Sequence, residues 1–279
     1  MQCVDPVVVL GAQRYVMQRN WVESDVDLRG ISSVAVLDNG LVAGLFRTAP
    51  HVRLFDAHGR LAAQWEIPAI VCPHHITALA DGGALVTDLD GHRVFGLDAH
   101  GKVEWVLGDA GRPQWMKPFN HPTQAAVSSN GDLYVSDGYG NVCLHHFDTG
   151  RTLVNTVGGA GSGPGQFSTP HAVVIDAHDR IFVADRENSR VQVFDVRGQF
   201  QHQITAMYKP MSLALTPSGH LLVSDQTAAL SLFDAGNTLL KRCRVLGVYG
   251  HGLAAGPDGT IYISEMIPDR LTRLRPLDS

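Results

Sequence analysis

Residues 170–204 read PHAVVIDAHDRIFVADRENSRVQVFDVRGQFQHQI. Four short runs stand out in it: AVVID, RIFVAD, RVQVFD and QFQHQI. Each alternates or runs apolar and ends at a turn built from Asp, Gly, Asn or Arg, the pattern of short strands joined by tight turns. The same unit precedes it as PTQAAVSSNGDLYVSDGYGNVCLHHFDTGRTLVNTV (residues 122–157) and as PHHITALADGGALVTDLDGHRVFGLDAHGKVEWVL (residues 73–107). Weaker copies occupy residues 32–65, 210–243 and 250–276, making six in all. Six copies of a four-strand unit at a fixed period predict an all-β fold, a six-bladed β-propeller around a central channel. The last copy stops after its third strand. Residues 15–21 precede the first copy and are expected to supply the missing outer strand, which closes the ring and removes free sheet edges. No linker is left over, so residues 1–279 read as a single propeller domain.

Composition agrees with this. Of 279 residues, 44% are hydrophobic and 18% charged, enough for a buried core and without a signature of disorder. The net charge of −5 argues against a nucleic-acid partner, which normally needs a basic face. No apolar stretch approaches the length that crosses a bilayer, so no membrane partner is expected. The apolar run at residues 7–10 is too short for the core of a secretion signal, and no basic start precedes it. Cys3, Cys72, Cys143 and Cys243 show neither paired spacing nor a CxxC motif. They read as reduced, partly buried thiols in a cytoplasmic protein.

Aligning the copies on the residue that ends the second strand exposes two positions of interest. At the mouth of the innermost strand stand, in chain order, Ser32, His74, Thr123, His171, Met211 and His251. Histidine occupies blades 2, 4 and 6. Alternate blades of a six-membered ring lie roughly 120° apart, so three imidazoles are expected to face the axis with trigonal symmetry. A lone histidine at a strand mouth is ordinarily solvated or hydrogen-bonded; strict alternation of three sets these apart. Three histidines with an open fourth position form the pattern of a catalytic zinc site, and one zinc per chain is expected. Strand alternation turns His75 to the other face. His121, two residues before Thr123, approaches the same mouth in a supporting or structural role at most.

Just past the second strand stand Arg47, Leu89, Gly138, Arg186, Gln226 and Met266. The second strand runs antiparallel to the first, so its end returns to the rim that carries the histidines. Arg47 and Arg186 on that rim can clamp a carboxylate. Tyr139, one residue beyond Gly138, can act as a base beside a divalent cation. Taken singly, the arginines read as turn or inter-blade contacts and Tyr139 as a blade cap. Their convergence beside three histidines favours chemistry. The loops at residues 109–119 and 208–211 are expected above this rim.

The phrase GSGPGQFSTPH (residues 161–171) followed by ADRENSRVQVFD (residues 184–195) resembles the NHL repeat. The histidine motifs on alternating blades, SDGY (residues 136–139) and ADREN (residues 184–188) are similar to those of peptidyl-α-hydroxyglycine α-amidating lyases and their free-standing bacterial relatives. The resemblance implies a zinc-dependent lyase that cleaves the C–N bond of an α-hydroxyglycine, or of a related small 2-hydroxy acid. It implies His74 (PHHITAL), His171 (TPHAVV) and His251 (YGHGLA) as ligands, Tyr139 as catalytic base, and Arg186 and Arg47 as active-site arginines. The partner would be a small-molecule or peptide-derived substrate with a carboxylate. Three departures bear on this. The family's third motif is PHD, whose Asp serves a calcium site; Gly252 stands there and argues against calcium. Gly140 replaces a disulfide cysteine after the tyrosine, and Tyr249 a methionine beside the metal. A metal-dependent hydrolase or isomerase on the same channel, and a non-catalytic protein-binding propeller, are the alternative readings.

Overall fold

The computed structural model describes residues 5–245, 247–248 and 250–277. Cys3 and Tyr249 lie outside the described residues. Twenty-five strands form six antiparallel sheets, and no described residue is helical. Five of the sheets have four strands and the sixth has five. Blade 4 shows the unit as read from the sequence: Pro170–Ile175, Ile181–Asp185, Arg190–Phe194 and Phe200–Ile204 pair in order. The inner strands are Ile31–Val36, Pro73–Ala78, Gln124–Val127, Pro170–Ile175, Pro210–Leu215 and Gly250–Ala255. Each contacts the next around the ring, and Gly250–Ala255 returns to Ile31–Val36.

Burial follows from this arrangement. Middle strands such as Ala84–Asp88 and Ile181–Asp185 are covered on both faces by neighbouring blades and are buried throughout. They therefore run apolar rather than alternate. Outer strands such as Phe200–Ile204 face solvent on one side and alternate. The core is six wedges, one at each seam between blades. Phe182, Leu213 and Phe233 fill the seam of blades 4 and 5, and Leu45, Ile76 and Phe95 that of blades 1 and 2. Each such side chain contributes about 1.5–3 kcal/mol by leaving water.

The ring closes in blade 6, where an N-terminal strand does supply the fourth member, but its bounds differ from expectation. Gln13–Gln18 pairs with Asp269–Pro276, and the strand ends there. Trp21, expected within it, has left the sheet. Its ring packs on Phe55 and Tyr262, with centroids 6.1 and 5.4 Å away, where it plugs the seam of blades 6 and 1. Gly59 explains the close fit: a Cβ there would fall 1.9 Å from the Trp21 carbonyl oxygen. A fifth strand, Val7–Leu10, adds outside Gln13–Gln18 in register Val7↔Val16 to Leu10↔Gln13.

Candidate metal centre

Five of the six inner strands share a local irregularity that turns one residue toward the axis; Gln124–Val127 pairs regularly. The pairing with the second strand slips between Ile31 and Ser33, Pro73 and His75, Pro170 and Ala172, Pro210 and Ser212, and Gly250 and Gly252. The residues left unpaired are Ser32, His74, His171, Met211 and His251. A bulge of this kind re-aims a side chain that regular alternation would send into a blade seam. Five of the six positions aligned from the sequence are thus bulge residues.

On the even blades this gathers His74, His171 and His251. Their ring centroids stand 5.0, 4.9 and 5.0 Å apart. One ring nitrogen from each lies within 4.8 Å of the others, so the group could hold a metal ion. On the odd blades the equivalent residues contribute backbone carbonyls. His74 Nδ1 lies 2.7 Å from the Thr123 oxygen, His171 Nδ1 2.6 Å from that of Met211, and His251 Nδ1 2.8 Å from that of Ser32. A carbonyl only accepts, so each Nδ1 carries the proton and each Nε2 keeps its lone pair. This is the outer contact that metal-ligating histidines use to fix tautomer and ring orientation.

The chemistry of the donors fits a divalent cation. Nε2 of both His74 and His171 is buried without a hydrogen-bond partner, a costly arrangement that a bound cation would relieve. Burial, then the neighbouring imidazoles, holds His74 and His171 well below the ordinary histidine range. Burial lowers His251 to about 4. All three are neutral at physiological pH, the form that binds metal. Smaller contributions come from Arg47 on His74 and His251, and from Arg186 on His171 and His251. Each arginine therefore acts on two of the three rings, and only His251 feels both.

Tyr139 reaches the group from blade 3. Its ring meets those of His74 and His171 edge-on at 5.7 and 5.9 Å, and 42% of the residue remains exposed. Arg186 Nη1 donates to the Tyr139 hydroxyl at 3.0 Å. Two residues absent from the sequence reading complete this arm. Arg186 Nε donates to Glu187 at 3.0 Å, and Lys209 Nζ bridges to the other Glu187 oxygen at 2.7 Å. Glu187 follows Arg186 in ADREN and Lys209 lies in the loop at residues 208–211; only their pairing across blades was hidden. Arg47 is exposed, its amide donating to the Gly30 carbonyl at 2.9 Å.

The remaining candidates sort cleanly. His75 is buried, is not a member of the three-ring cluster, and lines a cavity of about 550 Å³ with Thr77 and Gln124. His121 is not part of the group; it packs on His92, with centroids 4.4 Å apart, and bonds to Asn120. The loop at residues 109–119 is pinned by Asn141, whose amide donates to the carbonyls of Gln114 and Lys117. At Gly252 a Cβ would lie 2.5 Å from Ser264 Oγ and 2.6 Å from Ser33 Cα, so no acidic side chain fits there. At Gly140 a Cβ would meet Asn120 Cγ at 2.2 Å, which excludes a cysteine. Cys72, Cys143 and Cys243 are free thiols. Among the described residues no helix is long and apolar enough to cross a membrane.

Ring, bulges and repeat define the class: the chain is a six-bladed NHL-repeat β-propeller. The family model described as NHL repeat matches residues 119–147 and 167–194. Within that class the chain resembles peptidyl-α-hydroxyglycine α-amidating lyases, a lyase-like group of propellers. It is 32% identical to peptidylglycine alpha-amidating monooxygenase of Rattus norvegicus over 217 residues, 69% of this chain and 22% of that protein. It is 29% identical to peptidyl-alpha-hydroxyglycine alpha-amidating lyase 1 of Drosophila melanogaster, covering 82% of this chain and 49% of that one. It is also 29% identical to NHL repeat-containing protein 3 of Homo sapiens, covering 82% and 74%. The chain thus spans about a quarter or less of the rat relative's length. Among solved structures, a gluconolactonase of Xanthomonas campestris superposes with a TM-score of 0.71 at 11% identity, over 99% of this chain and 96% of that one. Virginiamycin B lyase of Staphylococcus aureus superposes with a TM-score of 0.62 at 12% identity, over 98% and 96%. At such identities these two bear on the fold alone.

Proposed function

We propose that this protein is a zinc-dependent lyase that cleaves the C–N bond of an α-hydroxyglycine or a related small 2-hydroxy-acid substrate. The observation that carries the reading is the joint geometry of three neutral, carbonyl-oriented imidazoles and a tyrosine hydroxyl held by an arginine. His74, His171 and His251 would hold the ion, which when bound supplies Lewis acidity toward the substrate hydroxyl or carboxylate. Tyr139, as phenolate, takes the hydroxyl proton. The C–N electron pair leaves with nitrogen as the carbonyl of glyoxylate forms, and nitrogen gains a proton to give the amide. Arg186 orients Tyr139, and with Arg47 it binds the substrate carboxylate. The identity to amidating lyases supports the reaction class, and the three free thiols support a reducing compartment such as the cytoplasm.

The tight packing at Gly252 removes an acidic neighbour from the third histidine and favours one second reading, a metal-dependent hydrolase or isomerase on the same rings. Elemental analysis and glyoxylate release from an N-acyl-α-hydroxyglycine test both. The expected result is zinc in the purified protein, with His171→Ala losing about one zinc per chain together with glyoxylate release. Turnover of lactones or esters lacking a carboxylate, without glyoxylate release, would select the second reading. A protein that neither contains nor takes up zinc leaves a non-catalytic, protein-binding propeller.

A further inference from the structure

A repeated buried ion pair changes its chemistry in one blade. Where the second strand meets the third, blade 2 pairs Asp88 with Arg93 at 2.9 Å, blade 4 Asp185 with Arg190 at 2.8 Å, and blade 6 Glu265 with Arg270 at 2.9 Å. Blade 5 pairs Asp225 with Arg242 at 2.6 Å. In each, one guanidinium balances one buried carboxylate, as burial of charge requires. Blade 3 keeps the carboxylate, Asp137, and buries it completely, but no arginine reaches it. The strand partner of Asp137 is Cys143, whereas those of Asp88, Asp185 and Glu265 are the three arginines. Two residues on, where blade 4 has Gln192 and blade 6 Thr272, stands His145.

Asp137, Cys143 and His145 are all buried, and their ligand atoms lie within 4.8 Å of one another. His145 Nε2 is 3.2 Å from Asp137 Oδ2 and 3.4 Å from Cys143 Sγ. Tetrahedral zinc with ordinary bond lengths spaces nitrogen and oxygen by about 3.3 Å, and nitrogen and sulfur by about 3.6 Å. Thr156 Oγ1 lies 2.9 Å from His145 Nδ1, and Phe119 packs against the ring from outside. Asp137 Oδ2, the oxygen nearest His145, also accepts the Asn120 amide and the Asn141 side chain at 2.8 Å each, and the Asn120 amide lies 3.0 Å from Oδ1.

From this substitution of one blade against four, we infer that Asp137, Cys143 and His145 form a second, structural site for a divalent cation of the zinc class. One carboxylate, one thiolate and a neutral imidazole around a divalent cation sum to zero charge, as each acid–arginine pair does in the other blades. Burial first, and Asp137 second, push the Cys143 thiol up, so a thiolate forms there only with a cation beside it. The site spans the base of the turn that presents Tyr139, and the cation anchors that turn. It is separate from the three histidines and does not depend on the reaction proposed for them.

Cobalt substitution of the whole chain tests it, because thiolate ligation to cobalt gives a near-ultraviolet charge-transfer band that an all-nitrogen site lacks. The band is expected in the parent protein and in His171→Ala, and is expected to vanish in Cys143→Ser. Should that variant fold poorly, Cys143→Arg restores the cation of the other blades; it is expected to stay folded, lose the band, and bind one metal fewer than the parent. No band in the parent, or a band that survives Cys143→Arg, overturns the site. In that case a hydrogen bond from His145 Nε2 to Asp137 is the arrangement that replaces the arginine.

Discussion

The even and the odd blades are built on the same four strands and make opposite contributions at the channel mouth. Blades 2, 4 and 6 aim imidazoles at the axis; blades 1, 3 and 5 aim backbone carbonyls at those imidazoles. A six-fold repeat thereby becomes a three-fold cluster, in which every imidazole is oriented by the blade that follows it. Within the three-ring cluster the side chain matters on the even blades and the main chain on the odd ones. That difference sets the expected size of each perturbation.

The largest effect falls on an even-blade ligand. His251→Ala should match His171→Ala in metal loss and lower turnover by about three orders of magnitude or more, since the metal's contribution is several kcal/mol. Tyr139, on an odd blade, sharpens the comparison. Tyr139→Phe should lower kcat by about 10²–10⁴-fold while metal content is unchanged, as expected for loss of a general base. Metal loss in that variant would mean that the odd blades do more than orient.

Acid should break the even blades next. His75 is lowered to about 3 and His251 to about 4, in each case chiefly by burial, against an ordinary value of 6.5. The unfolded chain takes up protons that the folded chain refuses. Their contribution to stability is therefore complete above about pH 6.5 and is lost as pH falls toward the folded values, at about 1.4 kcal/mol per pH unit for each histidine. For the metal-stripped protein, the urea midpoint should fall between about pH 7.5 and pH 5. A flat profile would mean that these rings are protonated in the folded state. Smallest of all should be Met211→Leu, because only its carbonyl is used. Metal affinity measured by competition with a chelator should stay within about threefold, below the effect typical of a lost outer contact.

Much of this was legible because the repeat supplies its own alignment. The residue that ends the second strand, Asp in blades 2 to 5, fixes the register, and the register put His74, His171 and His251 in one plane and Arg186 and Tyr139 on the same rim. The bulges were not legible, since an unpaired residue leaves no mark in an apolar run. Nor was the fifth strand: Val7–Leu10 has no counterpart in any copy against which to align it. Trp21 was assigned to a strand by position, whereas its bulk is used to fill a seam. The Arg186–Glu187–Lys209 arm crosses from blade 4 to the loop before blade 5, a relation that no single repeat contains. Cys143 carried only the reading of a reduced, partly buried thiol, because the arginine it replaces shows only when four other blades are set beside it.

Closure in blade 6 has a consequence for how the molecule comes into being. That sheet joins residues 7–18 to residues 250–276, the longest separation in the ring, and forming such contacts is slow because the intervening chain must first be confined. On the ribosome, His74 and His171 emerge while their third companion is still unmade. Early blades can fold seam by seam, but a nascent chain holds at most two of the three imidazoles until the last sheet docks. On the proposed reading, an ion held by all three imidazoles would report that the ring has shut.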